Sequence, residues 1–443
     1  MAPIHEPGSV EIGDLLAWLD AHLNLETGGR VRAPSLDRIR PLLDLLGRPQ
    51  ADYPLIHVTG TNGKTTTTRL ISHFLTLRGL SVGAHTSPHL EMVNERLTWG
   101  GEAISDQALA EELRIVAVAE AALLDRDGPA LRPTWFEIMT ALGYHWFSDL
   151  GVQVAVAEVG LGGMWDATNA ADAEVAVVTN VSIDHVEYLG SSRESIATEK
   201  AGIIKRGATL VLGEQDPGLH GIFLERDPGR VLRTDVDFGV LRNDPAYGGR
   251  AIDLRTPLSE YSDLYLPVHG AYQATNAAIA LTAAETFFGE PFPADLVIEA
   301  LATFRSPGRL EVVGHEPLVI LDGAHNAAGA EALVQALEEE FVPGPRTLIV
   351  GLMREKDPTV MLPALGAMEA EWVFACAPPS PRAMPAHDLA DAALELGVDT
   401  GRVEALGTVE EALARAFAVT PPEGQVVVAG SLYLVGAARS ALT

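Results

Sequence analysis

The sequence predicts an α/β protein in two parts: a P-loop nucleotide-binding domain on a mostly parallel sheet, and a smaller C-terminal Rossmann-like domain. Three observations predict it. Short β-prone apolar runs alternate with stretches of helical periodicity. A compact glycine loop, Gly60-Thr61-Asn62-Gly63-Lys64-Thr65, follows one such run and opens a helical stretch. The alternation breaks near Arg305-Ser306-Pro307-Gly308 and then restarts, which divides the chain into 1–304 and 305–443. Length agrees, because 443 residues exceed what one hydrophobic core usually organises and 47% apolar content is enough to fill two.

Taken in order, residues 12–25 repeat apolar positions at helical spacing, and 36–46 do so again after Pro34-Ser35, which has the form of a helix start. Residues 55–59 are the β-prone run before the glycine loop, and 65–78 form a helical stretch that ends at Gly79. Runs at 152–157, 173–181 and 208–212 supply further strands between helical segments. Residues 257–271 read as less regular, and the Ala-rich stretch 274–288 as a long helix. Beyond the break, strands at 318–321, 347–350, 372–375 and 426–429 and a helix at 328–341 resume the alternation.

The formal charge of −29 repels phosphate backbones and anionic lipid, so neither nucleic acid nor a membrane is the expected partner. No run reaches the roughly 18 to 20 apolar residues of a membrane helix. The N-terminal stretch carries Pro, Glu and Asp instead of a basic region and an apolar block, and so does not read as a signal peptide. Cys376 is the single cysteine, which excludes an intramolecular disulfide and fits a reducing, cytoplasmic setting. Lysine is confined to Lys64, Lys200, Lys205 and Lys356, against 27 arginines. Positions that need a compact ammonium or a free amine cannot drift to guanidinium, so these four are candidates for chemistry.

In the glycine loop, Gly60 and Gly63 permit a tight turn with inward amides, Lys64 brings charge to phosphates, and Thr65 offers a hydroxyl to magnesium. The first glycine of the full Walker pattern is missing. The compact form Thr-Gly-Thr-Asn-Gly-Lys-Thr resembles the Mur ligase family, and further segments narrow the resemblance to its folylpolyglutamate synthase and dihydrofolate synthase members. These are Thr86-Ser87-Pro88-His89-Leu90, Asn94-Glu95-Arg96, Glu158-Val159-Gly160-Leu161-Gly162-Gly163, Asp166-Ala167-Thr168-Asn169 and Asp184-His185. They continue with Glu199-Lys200-Ala201-Gly202-Ile203-Ile204-Lys205, Pro307-Gly308-Arg309 and Asp322-Gly323-Ala324-His325-Asn326.

The resemblance implies an ATP-dependent ligase that activates a folate-type carboxylate as an acyl phosphate for attack by the amine of L-glutamate. It implies Lys64, Lys200, His185 and His325 as catalytic residues, and Gly60 to Thr65, Asn276, Arg309 and Asp322 as the ATP site. Thr65, Ser87 and Glu158 would hold a first Mg2+. His185 and a carbamylated Lys200 would hold a second. Thr134-Trp135-Phe136-Glu137 offers aromatic surface to a flat ring and a carboxylate to its nitrogens. Trp165, Asp166 and Ala167 line the matching substrate segment, Ser431 is associated with glutamate and domain closure, and Pro34 and Ser35 lie near the same substrate. Dihydropteroate is expected as a second acceptor, and the molecule as a monomer. Three positions depart from the family pattern: Met164 stands for a usual arginine, Tyr272 for a histidine and Ala327 for a proline. Loss of a cation at Met164 is expected to weaken binding of an anionic folate. The alternatives are a cell-wall Mur ligase, which would carry a further N-terminal uridine-nucleotide domain, and a nucleotide switch, which would leave Lys200 and His185 without a purpose.

Overall fold

The computed structural model describes residues 12–26 and 35–442; Pro34 lies outside them. The strands β1 (Leu55–Thr59), β2 (Val82–His85), β3 (Leu97–Trp99), β4 (Glu102–Ala103), β5 (Val154–Glu158), β6 (Val175–Val178), β7 (Thr209–Leu212) and β8 (Arg230–Arg233) form one sheet in the order β4-β3-β2-β5-β1-β6-β7-β8. All pairings from β2 to β8 are parallel, and only the β3 and β4 edge is antiparallel. β1 and β5 are buried at every residue, because helices cover both faces of the sheet and no polar alternation is needed.

The stretch read as irregular belongs to a second sheet. β9 (Gly239–Ala246), β10 (Gly249–Arg255) and β11 (Glu260–Leu266) pair antiparallel in the order β11-β10-β9. β9 hides in sequence because Arg242, Asn243, Asp244 and Pro245 break any apolar pattern, although the two-residue link Tyr247-Gly248, with Gly248 at φ +72°, is a hairpin signal. Ile252, Leu254, Leu264 and Leu266 pack into one core with the Ala-rich helix Tyr272–Phe288. Its small side chains let the helix lie close to both this sheet and the helix Lys64–Leu77.

The third sheet contains β12 (Glu311–His315), β13 (Leu318–Leu321), β14 (Arg346–Val350), β15 (Trp372–Cys376), β16 (Val403–Leu406) and β17 (Gln425–Ala429), in the order β12-β13-β17-β14-β15-β16. Only β12 runs antiparallel. Two helices begin or end away from their expected bounds. The first spans Ile12–Asp20, after which the His22 ring bonds to the carbonyls of Trp18 and Leu19. The second spans Ile39–Leu45, because residues 36–38 form a turn in which Ser35 Oγ accepts from Asp37 N–H. No helix among the described residues is long and apolar enough to cross a membrane.

β5 and β6 lie on opposite sides of β1, so the connections diverge there and a crevice opens at the carboxyl ends of the strands. The loops after β1, β2, β5 and β6 share that edge. Those after β13, β14, β15 and β17 occupy the corresponding edge of the third sheet and face them across a cleft of about 760 Å³.

Candidate active site

The glycine loop leaves β1 and enters the helix Lys64–Leu77. Gly63 adopts φ +81°, a left-handed conformation that glycine takes without strain, and a Cβ there would overlap the Asn276 amide. A Cβ at Gly60 would overlap Thr179 Oγ1. The loop is pinned to the segment after β6: Thr61 N–H donates to Asn180 O at 3.0 Å and Asn62 N–H to Asn180 Oδ1 at 3.0 Å. Lys64 Nζ donates to Thr61 O at 3.1 Å. Burial depresses its pKa, against the pull of Glu158 and Asp184.

Glu158, at the end of β5, is 1% exposed. Its Oε1 accepts from Thr65 Oγ1 at 2.9 Å and its Oε2 from Ser87 N–H at 3.1 Å. Ser87 Oγ beside it is buried and has no hydrogen-bond partner among the described residues. Two hydroxyls and one carboxylate fit a hard cation that keeps water and phosphate oxygens as its other ligands. Lys200, 3% exposed, donates to Gly60 O at 2.7 Å. Burial, and then Lys64, hold its amine well below the usual lysine range. Among the described residues no three His, Cys, Asp or Glu converge as a ready metal cluster.

Across the cleft, Asp184 accepts from Lys356 Nζ at 2.5 Å and from Asn326 Nδ2 at 3.0 Å, while the Nε2 atoms of His325 and His185 lie 3.6 and 3.9 Å away. Burial opposes its ionisation, but His185, His325 and Lys356 outweigh that and hold the carboxyl well below the usual range. Asn326 also exchanges hydrogen bonds with Asn62, at 3.0 and 3.3 Å. His325 Nδ1–H donates to Gly323 O at 2.8 Å, leaving Nε2 toward the cleft. Arg309 and Ser431 line the same cavity. Lys356 and Asn326 stand outside the predicted site. Lysine scarcity marked the first, and the second closes the segment Asp322-Gly323-Ala324-His325-Asn326 without an expected role. Lys205 is the lysine that stays away: it pairs with Asp172 at 3.1 Å.

The other end of the cavity is lined by Ser35, Arg38, Thr134, Phe136, Glu137, Trp165, Asp166 and Ala167. Asp166 Oδ1 accepts from Thr168 N–H and Oγ1, at 3.0 and 2.5 Å, and Oδ2 from Leu161 N–H at 2.9 Å. Burial raises its pKa to about 6 despite these bonds. Glu137 is less free than its place in the motif suggests. With Thr134 it forms the capping box of the helix Trp135–Asp149, accepting from Thr134 N–H at 2.7 Å, and it also takes Arg38 Nε–H at 2.9 Å.

Trp135, Asp322, Asn276 and Met164 do not line the cavity, although Asn276 abuts the glycine loop. Trp135 is 4% exposed and sits in the adjoining core, with Nε1 donating to Asp20 at 3.1 Å and Arg96 stacked 4.5 Å over its ring. Successive helix residues diverge by about 100°, so Phe136 faces the cavity and Trp135 cannot. Both Asp322 oxygens are taken by backbone, from Leu310 N–H and Ala324 N–H at 2.8 Å, where Leu310 holds φ +47°. Its carboxylate shapes the turn beside Arg309 instead of facing the cavity. Asn276 packs against Gly63, with Nδ2 donating to Gln273 at 3.0 Å. Met164 is 39% exposed and outside the cavity wall, its place set through backbone bonds to Glu199 and Asn169.

Comparison with known proteins matches residues 137–284 to the Mur ligase middle domain and 308–432 to the Mur ligase glutamate ligase domain. A dihydrofolate synthase/folylpolyglutamate synthase of Mycobacterium tuberculosis is 39% identical, over 92% of this chain and 90% of that protein. A folylpolyglutamate synthase of Lacticaseibacillus casei is 37% identical, over 91% and 94%. Among solved structures, the Mycobacterium tuberculosis folylpolyglutamate synthase complexed with ADP superimposes with a TM-score of 0.91 at 37% identity, covering 97% of this chain and 98% of that one. E. coli FolC in complex with DHPP and ADP gives 0.86 at 27%, covering 99% of each. The chain therefore belongs to the folylpolyglutamate synthase/dihydrofolate synthase family of Mur ligases.

Proposed function

We propose that this chain is an ATP-dependent ligase that adds L-glutamate to folates, and to dihydropteroate, through an acyl phosphate. The observation that carries the reading is one continuous cleft with half-buried cations, Lys64, Arg309 and Lys356, at one end and an aromatic-lined pocket at the other. A carboxylate becomes an electrophile only when its oxygen leaves as phosphate, and moving a phosphoryl group between anions needs positive charge on both sides of the transfer. Lys64 supplies that charge from the loop and Arg309 from the facing edge. His325, with Nε2 toward the cleft and near Asp184, would orient the incoming amine and manage its proton.

Thr65, Ser87 and Glu158 would hold a magnesium ion, and the orphaned Ser87 hydroxyl supports the fit. Lys200 is buried with a carbonyl as its one hydrogen-bond partner among the described residues, and an amine so placed can add carbon dioxide and lose a proton. The resulting carbamate, with His185, would hold a second ion. The ions would supply Lewis-acid neutralisation of phosphate charge. We assign residues 1–304 to ATP and folate, and 305–443 to glutamate and closure. The molecule is read as a cytoplasmic monomer that acts on small molecules, with no nucleic-acid or membrane partner.

Glutamate-dependent ADP release, measured in parallel with dihydropteroate and tetrahydrofolate, tests the reading. Release with both is expected. Release with one alone rejects bifunctionality, and release with neither rejects the folate assignment.

A further inference from the structure

The segment after β6 is fastened on two sides before it reaches Asp184 and His185. Val181, a buried residue, gives its N–H to Glu214 Oε2 at 2.5 Å, and its carbonyl accepts from Arg193 Nε–H at 3.0 Å. The glycine loop holds Ser182 from the other side: Thr61 Oγ1 accepts from Ser182 N–H at 2.9 Å and donates to Ser182 O at 3.1 Å. Arg193 Nη2 donates to the buried Glu214 Oε1 at 2.8 Å, so guanidinium and carboxylate brace each other as well as the backbone between them. His185 follows at φ +50°, a left-handed conformation that a residue other than glycine keeps only where its surroundings impose it.

Arg193 opens the helix Arg193–Ala201, and Lys200 stands two turns further along it. At that spacing both side chains leave the same face of the helix, about 10 Å apart along its axis. Lys200 reaches Gly60 O. A closed circuit results. The helix holds Val181 through Arg193 and Gly60 through Lys200, and the residues that follow these two, Ser182 and Thr61, are bonded to each other. No member of the circuit can shift alone. Asp216 accepts from Arg193 Nη1 at 2.7 Å on the exposed side and is not one of its links.

We infer that Arg193, braced by Glu214, is a positioning residue that sets the place of Asp184 and His185 relative to Lys200, and thereby the fit of the second ion between His185 and Lys200. This rests on the two-ion reading above. Arg193 touches neither substrate nor ion and acts through the backbone of Val181. Outer contacts that orient metal ligands carry about 10- to 100-fold in metal affinity or activity. Thr65, Ser87 and Glu158, which would hold the first ion, are bonded among themselves and supply no link of the circuit, so the first ion should be indifferent to Arg193.

The test counts Mn2+ bound to the full chain, from the electron paramagnetic resonance of the free ion, with bicarbonate and a non-hydrolysable ATP analogue present. Wild type is expected to bind two ions. Arg193→Met and Glu214→Gln should hold one ion as wild type does and the other about 10- to 100-fold more weakly. Arg193→Lys should recover part of that loss, and Asp216→Asn should match wild type. In glutamate-dependent ADP release, the deficit of Arg193→Met should fall on kcat and shrink as metal is raised, with KM for dihydropteroate within about twofold of wild type. The Arg193 side chain is 38% exposed, so the fold should tolerate its loss, and a variant short of folded protein would lose both ions in equal proportion. Two ions in wild type that Arg193→Met retains, or weakens alike, overturn this inference alone. A single ion in wild type overturns the two-ion reading, and this inference with it.

Discussion

At the phosphate end of the cleft, among the described residues, Ser87 Oγ is buried without a partner and Lys200 has a single carbonyl for its ammonium. At the ring end, Asp166 and Glu137 are bonded several times over by their own backbone and neighbours. The first end is a surface whose polar groups wait for an ion or a phosphate. The second is a scaffold that is satisfied before the substrate arrives and presents only its leftover donors and acceptors. Losses at the first should therefore appear in turnover. Losses at the second should appear in stability as well, because the same bonds hold the fold.

Four experiments break or sharpen that contrast. Lys200→Ala is expected to abolish ligase activity, by about a thousandfold or more in kcat if it removes a metal-bearing carbamate, and added short carboxylates should restore part of it. ADP release near the wild-type rate would show that the phosphate end does not depend on this amine. Asp166→Ala strands Thr168 N–H, Thr168 Oγ1 and Leu161 N–H, and should cost about 2 to 4 kcal/mol of unfolding free energy. A denaturation midpoint unchanged from wild type would remove the scaffold interpretation of the ring end.

The third experiment uses pH. His57 is fully buried under the ring end, its Nε2 2.7 Å from Thr168 Oγ1, and burial, then Lys205 and His85, lower its pKa to about 3. The folded value lies below the ordinary one, so on acidification the unfolded chain takes up the proton first. The contribution of the neutral ring is complete above about pH 6.5 and is lost as pH falls toward 3. Between pH 7 and 5 the loss is about 2 kcal/mol. Chemical denaturation at both pH values should show a smaller difference in His57→Gln, and an identical difference would assign the acid sensitivity elsewhere. The smallest effect is expected at Met164→Arg. An exposed side chain outside the cavity should change folate KM by less than about twofold, and a larger gain in affinity would place this position in the substrate site after all.

Much of this was legible in the chain. The glycine loop, the strand-end glutamate, the paired Asp184-His185 and the four lysines are local features, and local backbone geometry places them: a parallel strand delivers its last residue to the sheet edge, and a glycine turn delivers amides to a helix start. Trp135 was misplaced, and the bonding of Glu137 missed, for the opposite reason. Their neighbours in sequence say that an aromatic and a carboxylate are near a substrate, but helical phase turns Trp135 into the core, and the capping box takes up Glu137. β9 was invisible because polar residues and a proline on an antiparallel strand carry no apolar period, and only its pairing with β10 makes it a strand.

What the sequence alone determined is the chemistry at the nucleotide: which residues carry charge, which turns need glycine, and which amines survived in a chain that had nearly abandoned lysine. What only the tertiary structure decided is which donors and acceptors are already spent. Asp322 is used up by a turn, Asp166 by its loop, and Glu137 in part by Arg38, which comes from the turn before another helix 99 positions earlier in the chain. Hydrogen-bond saturation depends on contacts between residues far apart in the chain, and those exist only once the chain has folded.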